Sequence, residues 1–124
     1  MDKPLRTILV ADDEFSIIET LTDILSWEGW NVISASNGER ALLAVEQARP
    51  NLALIDFMMP VMDGVALARK LRERYPDIPI VMMTAAPAAL PKEPDLWDEL
   101  LVKPFDLDAL IATVKRVADQ PRRK

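Results

Sequence analysis

Three carboxylates, one hydroxyl and one ammonium stand at the ends of four short apolar runs. Asp12 and Asp13 follow Thr7-Ile8-Leu9-Val10-Ala11, and Asp56 closes Leu52-Ala53-Leu54-Ile55. Thr84 closes Ile80-Val81-Met82-Met83, and Lys103 closes Leu100-Leu101-Val102. In a parallel α/β sheet the carboxyl ends of the strands share one edge, where such folds bind ligands. The five side chains are therefore expected in one small site. Carboxylates brought together repel and raise one another's pKa, and a divalent cation with the Lys103 ammonium would relieve that repulsion. The inventory suits a Mg²⁺ ion and a phosphoryl group, with one carboxylate as acceptor. Each residue alone has a plainer reading: Asp12-Asp13 as a helix N-cap, Asp56 as a turn residue, Lys103 as an exposed lysine. Their joint placement at strand ends is what favours a site.

The elements that must position these groups follow from the pattern of apolar residues. Phe15 to Glu28 places Ile18, Leu21 and Leu25 on one helical face, and Gly29 can end that helix. Trp30 to Ala35 is a short strand with some alternation, as at a sheet edge. Ser36-Asn37-Gly38-Glu39 reads as a capping box, opening a helix with Ala41, Leu42, Val45 and Ala48 inward. Pro50 breaks the chain before the Asp56 strand. Asp63-Gly64 begins a helix through Leu67, Ala68, Leu71 and Tyr75, stopped by Pro76. Asp106 caps a final helix with Leu107, Leu110, Ile111, Val114 and Val117 inward. Four of the strands are almost wholly apolar, as expected when both faces are covered, and right-handed crossovers then give an open doubly wound sheet. Between Ala85 and Glu99 stand Pro87, Pro91 and Pro94, which should prevent a long helix, with about one turn at Ala85 to Leu90. With few internal bonds, this segment is expected to be the mobile one.

Composition narrows the classes. The chain has 124 residues, enough for one domain with a real core. It has no cysteine and no histidine, which removes disulfides, thiolate metal sites, the commonest general base and the usual zinc ligand. The net charge of −5 argues against direct nucleic-acid binding. The apolar runs are too short to span a bilayer and no leader segment is visible, so a cytoplasmic protein without membrane insertion is expected. Met58-Met59, Met82-Met83, Trp27, Trp30 and Trp97 read as packing residues, and Gly38 and Gly64 as turn glycines.

The motifs resemble those of the receiver domain of bacterial two-component response regulators. They are Asp12-Asp13, the run Asp56-Phe57-Met58-Met59-Pro60-Val61-Met62-Asp63-Gly64, Thr84-Ala85 and Lys103-Pro104-Phe105. The resemblance covers about residues 5–120 and implies one receiver domain over 1–124, with 121–124 a flexible tail. The implied fold is a flavodoxin-like five-stranded parallel sheet, order 2-1-3-4-5, with an atypical short fourth-helix region. Asp56 would be the phosphoacceptor, a carboxylate nucleophile forming an aspartyl phosphate. Asp13, Asp56 and the Met58 carbonyl would bind Mg²⁺ directly, with Asp12 acting through a coordinated water. Lys103 and Thr84 would each meet a phosphoryl oxygen, and small Ala85 would leave room for its entry. A cis Lys103-Pro104 bond is implied as well. The donor would be a histidine kinase or a histidine phosphotransfer protein, and output would pass to another protein by contact, from a monomer or weak dimer.

The chain departs from this family in three places. The aromatic residue usual three positions before the lysine is Leu100. The fourth-helix region is short and proline-rich. Met58 and Ala86, two residues beyond Asp56 and Thr84, are apolar, where polar side chains could orient an attacking water; a long-lived phosphorylated state is expected. Two other functions compete. A Mg²⁺-dependent phosphohydrolase would want a second aspartate where Met58 stands. A receiver fold used only as an unphosphorylated scaffold would not require the complete set of site residues.

Overall fold

A computed structural model of the chain describes residues 5–93 and 95–120; residues 1–4, Pro94 and the tail 121–124 lie outside the described residues. The elements run β1 (Thr7–Ala11), α1 (Phe15–Trp27), β2 (Asn31–Ala35), α2 (Gly38–Gln47), β3 (Leu52–Asp56) and α3 (Gly64–Arg74). They continue with β4 (Ile80–Thr84), a 3-10 turn (Pro87–Ala89), β5 (Glu99–Val102) and α4 (Leu107–Asp119). All strand pairs are parallel and the order is β2-β1-β3-β4-β5, the doubly wound sheet expected.

Every residue of β3 and β4 is buried, so their apolar runs do not alternate with polar residues. Their side chains still alternate in direction and feed two cores. Leu9, Ala53, Ile55, Ile80 and Met82 face α2 and α3, against Ala41, Val45, Leu67 and Leu71. Ile8, Val10, Leu54, Val81 and Met83 face α1 and α4, against Leu21, Leu25, Leu110 and Val114. Removing one such buried Leu or Ile down to Ala costs about 2–5 kcal/mol. β2 is one of the two edge strands, with Asn31 and Ser34 exposed.

Asp63 and Asp106 cap α3 and α4, accepting the N–H of Ala66 at 2.8 Å and of Ala109 at 2.7 Å. Gly29 follows α1 at φ +95°, a conformation that a β-carbon disfavours. Several expectations are corrected. The cap of α2 is Asn37, which accepts the Arg40 N–H at 2.9 Å, and Ser36 is exposed. Ala48 and Leu107 are exposed because each lies at a helix end, past or before the contact with the sheet. Trp27, on the last turn of α1, is 80% exposed, and Met58 also points to solvent. Gly38 and Gly64 are the first residues of α2 and α3, not turn glycines. A Cβ on Gly64 would overlap the Asp56 carbonyl, and one on Gly38 the Met62 carbonyl. Gly64 thus lets α3 start directly against the end of β3.

The β4–β5 connection forms only the 3-10 turn, begun by Pro87, and residues 85–89 are exposed. Its second half is fastened to α3. Arg69 forks onto Glu93, with Nη2 at 2.7 Å from Oε1. Arg72 donates to the Asp98 carboxylate at 2.8 Å, to the Asp95 carbonyl at 3.0 Å and to the Ile78 carbonyl. Asp98 also bridges to β4, accepting the Ile80 N–H and donating its own N–H to the Ile80 carbonyl. Leu96 is buried, and Leu90 and Trp97 lie half-buried against the core. The prolines limit bonding within the segment, as expected, but α3 supplies bonds from outside. No helix among the described residues is long and apolar enough to cross a membrane.

Candidate functional site

Register brings the site together. Ala11 pairs with Ile55, so Asp12 and Asp56 emerge side by side from β1 and β3. Thr84 pairs with Val102, so Lys103 leaves β5 beside Thr84, donating its backbone N–H to the Thr84 carbonyl at 2.8 Å. The Lys103 ammonium reaches across the edge to Asp56 Oδ1 at 2.9 Å and Asp12 Oδ2 at 3.0 Å. The other Asp12 oxygen accepts the Glu14 N–H at 2.9 Å. Asp12, Asp56 and Thr84 are buried, whereas Asp13 is exposed at the rim. Lys103-Pro104 is cis.

One carboxylate oxygen from each of Asp12, Asp13 and Asp56 lies within 4.8 Å of the others. One ammonium faces three acids, leaving a negative excess at the edge. Burial pushes the Asp56 carboxyl above the usual carboxylate range. The Lys103 hydrogen bond opposes this, and the charges of Asp12 and Asp13 add to it. For Lys103 burial is the largest single influence and favours the neutral amine. The hydrogen bonds and charges of Asp56 and Asp12 together outweigh it, so the ammonium is held above the usual lysine range. An all-oxygen, negatively charged cluster without histidine or cysteine is the donor set of a hard dication such as Mg²⁺.

The Thr84 hydroxyl oxygen accepts the Ala86 N–H at 2.9 Å, which leaves its own hydrogen to donate. Ala85 and Ala86, which follow Thr84, and Met58, two residues beyond Asp56, are exposed. Every side chain named from the sequence therefore stands on this edge. The sequence reading missed the arginine fork of α3. The available signal was Arg69 and Arg72, three apart on one face, with the acids Glu93, Asp95 and Asp98 downstream.

A five-stranded parallel sheet in the order 2-1-3-4-5, with an acidic cluster and a lysine on its carboxyl edge, defines a receiver-type signalling domain. The model of the response regulator receiver domain family matches residues 8–115. A probable transcriptional regulator, ycf27, of Pyropia yezoensis is 40% identical over 97% of this chain and 51% of its own length. The alkaline phosphatase synthesis transcriptional regulatory protein PhoP of Bacillus subtilis is 37% identical over 90% of this chain and 48% of its own length. Among solved structures, a CheY-like receiver domain protein from Methanospirillum hungatei superposes with a TM-score of 0.86 at 28% identity, covering 94% of this chain and 95% of that one. The response regulator TrrA of Thermotoga maritima, in complex with Mg²⁺-BeF, gives 0.81 at 33% identity, covering 91% and 99%. The chain belongs to the response regulator receiver domain family of two-component signal transduction, whose standard function is phosphorylation on an aspartate. It spans about half the length of the curated relatives it matches.

Proposed function

We propose that Asp56 is the phosphoacceptor and that the phosphoryl group arrives from a phosphohistidine of a histidine kinase or a histidine phosphotransfer protein. The observation that carries this is the Asp56 carboxylate itself: buried at a strand end, 2.9 Å from the Lys103 ammonium and beside Asp12 and Asp13. An Asp56 oxygen attacks phosphorus, and the bond to the donor nitrogen breaks. Lys103 turns from the carboxylates to a phosphoryl oxygen, and Thr84 donates its hydroxyl hydrogen to another. Asp12, Asp13 and Asp56, with the Met58 carbonyl, would hold Mg²⁺, which neutralises charge on the transferring group. The chain then acts only on its own aspartate and turns over no separate substrate.

Exposed Ala85 and Ala86 leave the mouth open to a donor. Phosphorylation adds charge next to Thr84, whose oxygen holds the Ala86 N–H, so the change reaches residues 85–89 first. Output passes from that surface to a partner protein, with this chain making no nucleic-acid contact of its own. We place the reaction in the cytoplasm.

The test is incubation with Mg²⁺ and a small acyl phosphate, followed by intact mass and peptide mapping. Gain of one phosphoryl group on Asp56 is expected. No gain would favour an unphosphorylated scaffold, and gain elsewhere would remove Asp56 from the role.

A further inference from the structure

The chain contains six methionines and no cysteine, so no thiol competes with thioethers for an oxidant. Among the described residues, Met82 and Met83 are fully buried, Met59 is buried, and Met62 is half-buried against the core. Met58 stands apart: it is 64% exposed, and it follows Asp56 by two residues on the loop leaving β3. Susceptibility of a thioether follows its exposure. The most exposed of the described methionines therefore lies two residues beyond an acid of the site, on the loop leaving β3.

We propose that Met58 is a site of oxidation and that its sulfoxide shortens the life of a phosphoryl group on Asp56. The inference rests on the phosphorylation of Asp56 proposed above. In the modification, the Met58 sulfur attacks one oxygen of a peroxide. An S–O bond forms and the O–O bond breaks. The sulfur loses two electrons, and the other peroxide oxygen leaves as water or an alcohol after taking up a proton. Thiol-dependent sulfoxide reductases reverse the change.

The effect on hydrolysis follows from what surrounds the mouth. Attack on phosphorus needs a water held in line with the Asp56–phosphoryl bond, with a hydrogen-bond acceptor to fix it. A thioether is a weak acceptor and Ala86 has none in its side chain. The Thr84 oxygen already accepts the Ala86 N–H. A sulfoxide oxygen is a strong acceptor, and the methionine side chain has three rotatable bonds with which to reach. Oxidation thus places at position 58 the polar group that the sequence lacks there.

The full chain is treated with hydrogen peroxide and mapped by peptide mass. It is then phosphorylated with a small acyl phosphate and Mg²⁺, and loss of the phosphoryl group is timed. Met58 should oxidise before every other methionine of the described residues, and the oxidised protein should lose its phosphoryl group several-fold faster. A methionine sulfoxide reductase should restore the slow rate. Met58→Leu should abolish the acceleration, Met62→Leu should keep it, and Met58→Gln should decay fast without oxidant. Equal decay before and after oxidation of Met58 overturns the inference while leaving phosphorylation of Asp56 intact. Acceleration that persists in Met58→Leu, or earlier oxidation of a buried methionine, also overturns it. An unoxidised protein that never takes a phosphoryl group fails at the earlier step, and both readings fall; uptake by the unoxidised protein alone overturns the inference and leaves phosphorylation of Asp56 standing.

Discussion

At the carboxyl edge of the sheet charge is concentrated and incompletely matched; in the β4–β5 connection it is matched acid to base. Asp12 and Asp56, both buried, share Lys103, and Asp13 adds a third carboxylate at the rim. Glu93 has Arg69, and Asp98 has Arg72. The edge is strained by its own charges and has something to gain from a cation. The connection has its partners already. This contrast separates the edge, with residues 85–89 joined to it through Thr84 and Ala86, as the part built to change state from the half of the connection fastened to α3, the part built to stay.

The largest expected effect lies at the edge. Asp56→Asn should abolish phosphoryl incorporation as read by intact mass. Without metal it should also make the fold more stable, because burial and the charges of Asp12 and Asp13 outweigh the Lys103 ion pair that the substitution loses. The accompanying pH dependence has a definite sign. A carboxyl whose pKa is raised by folding binds its proton more tightly in the folded state. Stability contributed by protonated Asp56 is therefore lost as pH rises from the ordinary carboxylate range through the raised value. Denaturant titrations across that window, without metal, should show this slope in the wild type and a shallower one in Asp56→Asn. The ammonium of Lys103 contributes with the same sign in a separate window, its stabilisation being lost only as pH rises above the ordinary lysine range.

Breaking the other side of the comparison should cost stability and spare the chemistry. Arg72→Met removes a mostly buried guanidinium from the Asp98 pair and should destabilise by about 2 kcal/mol in urea. Hydrogen exchange should rise in residues 90–99, with phosphoryl uptake at Asp56 unchanged. Arg69→Met removes an exposed pair and should leave the urea midpoint almost unchanged. A loss of phosphorylation in Arg72→Met would show that the two regions are not separable.

Millimolar Mg²⁺ should raise the thermal midpoint. At ten times the dissociation constant the gain is about 1.4 kcal/mol. Asp13→Ala, which removes the rim carboxylate, should erase most of it. An equal rise in the variant would take Asp13 out of the metal site. The smallest effect is expected at Val61, a β-branched residue at φ 70° in the tight turn closed by the Met62 N–H and the Pro60 carbonyl. Val61→Gly should relieve backbone strain and stabilise by less than about 1 kcal/mol, because glycine also loses more entropy on folding.

The edge was legible in the sequence because its signal is local. Each apolar run is a strand, and the first polar residue after it has to lie at the strand's end. Asp63, Asp106 and Gly29 were legible for the same reason, each acting on its own turn. The connection was half legible: Pro87 limits the segment to one short turn, as expected. The fork from α3 was not, because Arg69 meets Glu93 and Arg72 meets Asp98 across a whole strand, and ion pairs carry no periodicity. Trp27 and Leu107 misled because helical spacing gives a face but not where along the helix the sheet stops covering it. Ser36 and Asn37 are both good caps, and only the backbone path decides between them.

Arg72 ties together three stretches of chain: the carbonyl before β4 at Ile78, the Asp95 carbonyl, and the Asp98 carboxylate that also holds the Ile80 amide. Such a side chain constrains how the sequence can drift. Replacing Asp98 alone would take a 2.8 Å ion pair from a mostly buried guanidinium, and replacing Arg72 alone would take a donor from the Asp98 carboxylate and from two carbonyls. Descendants of this sequence should therefore change positions 72 and 98 together or not at all, whereas 69 and 93, out in solvent, should wander independently. Comparison of the two pairs across diverged copies of this chain should show covariation in the first and little in the second.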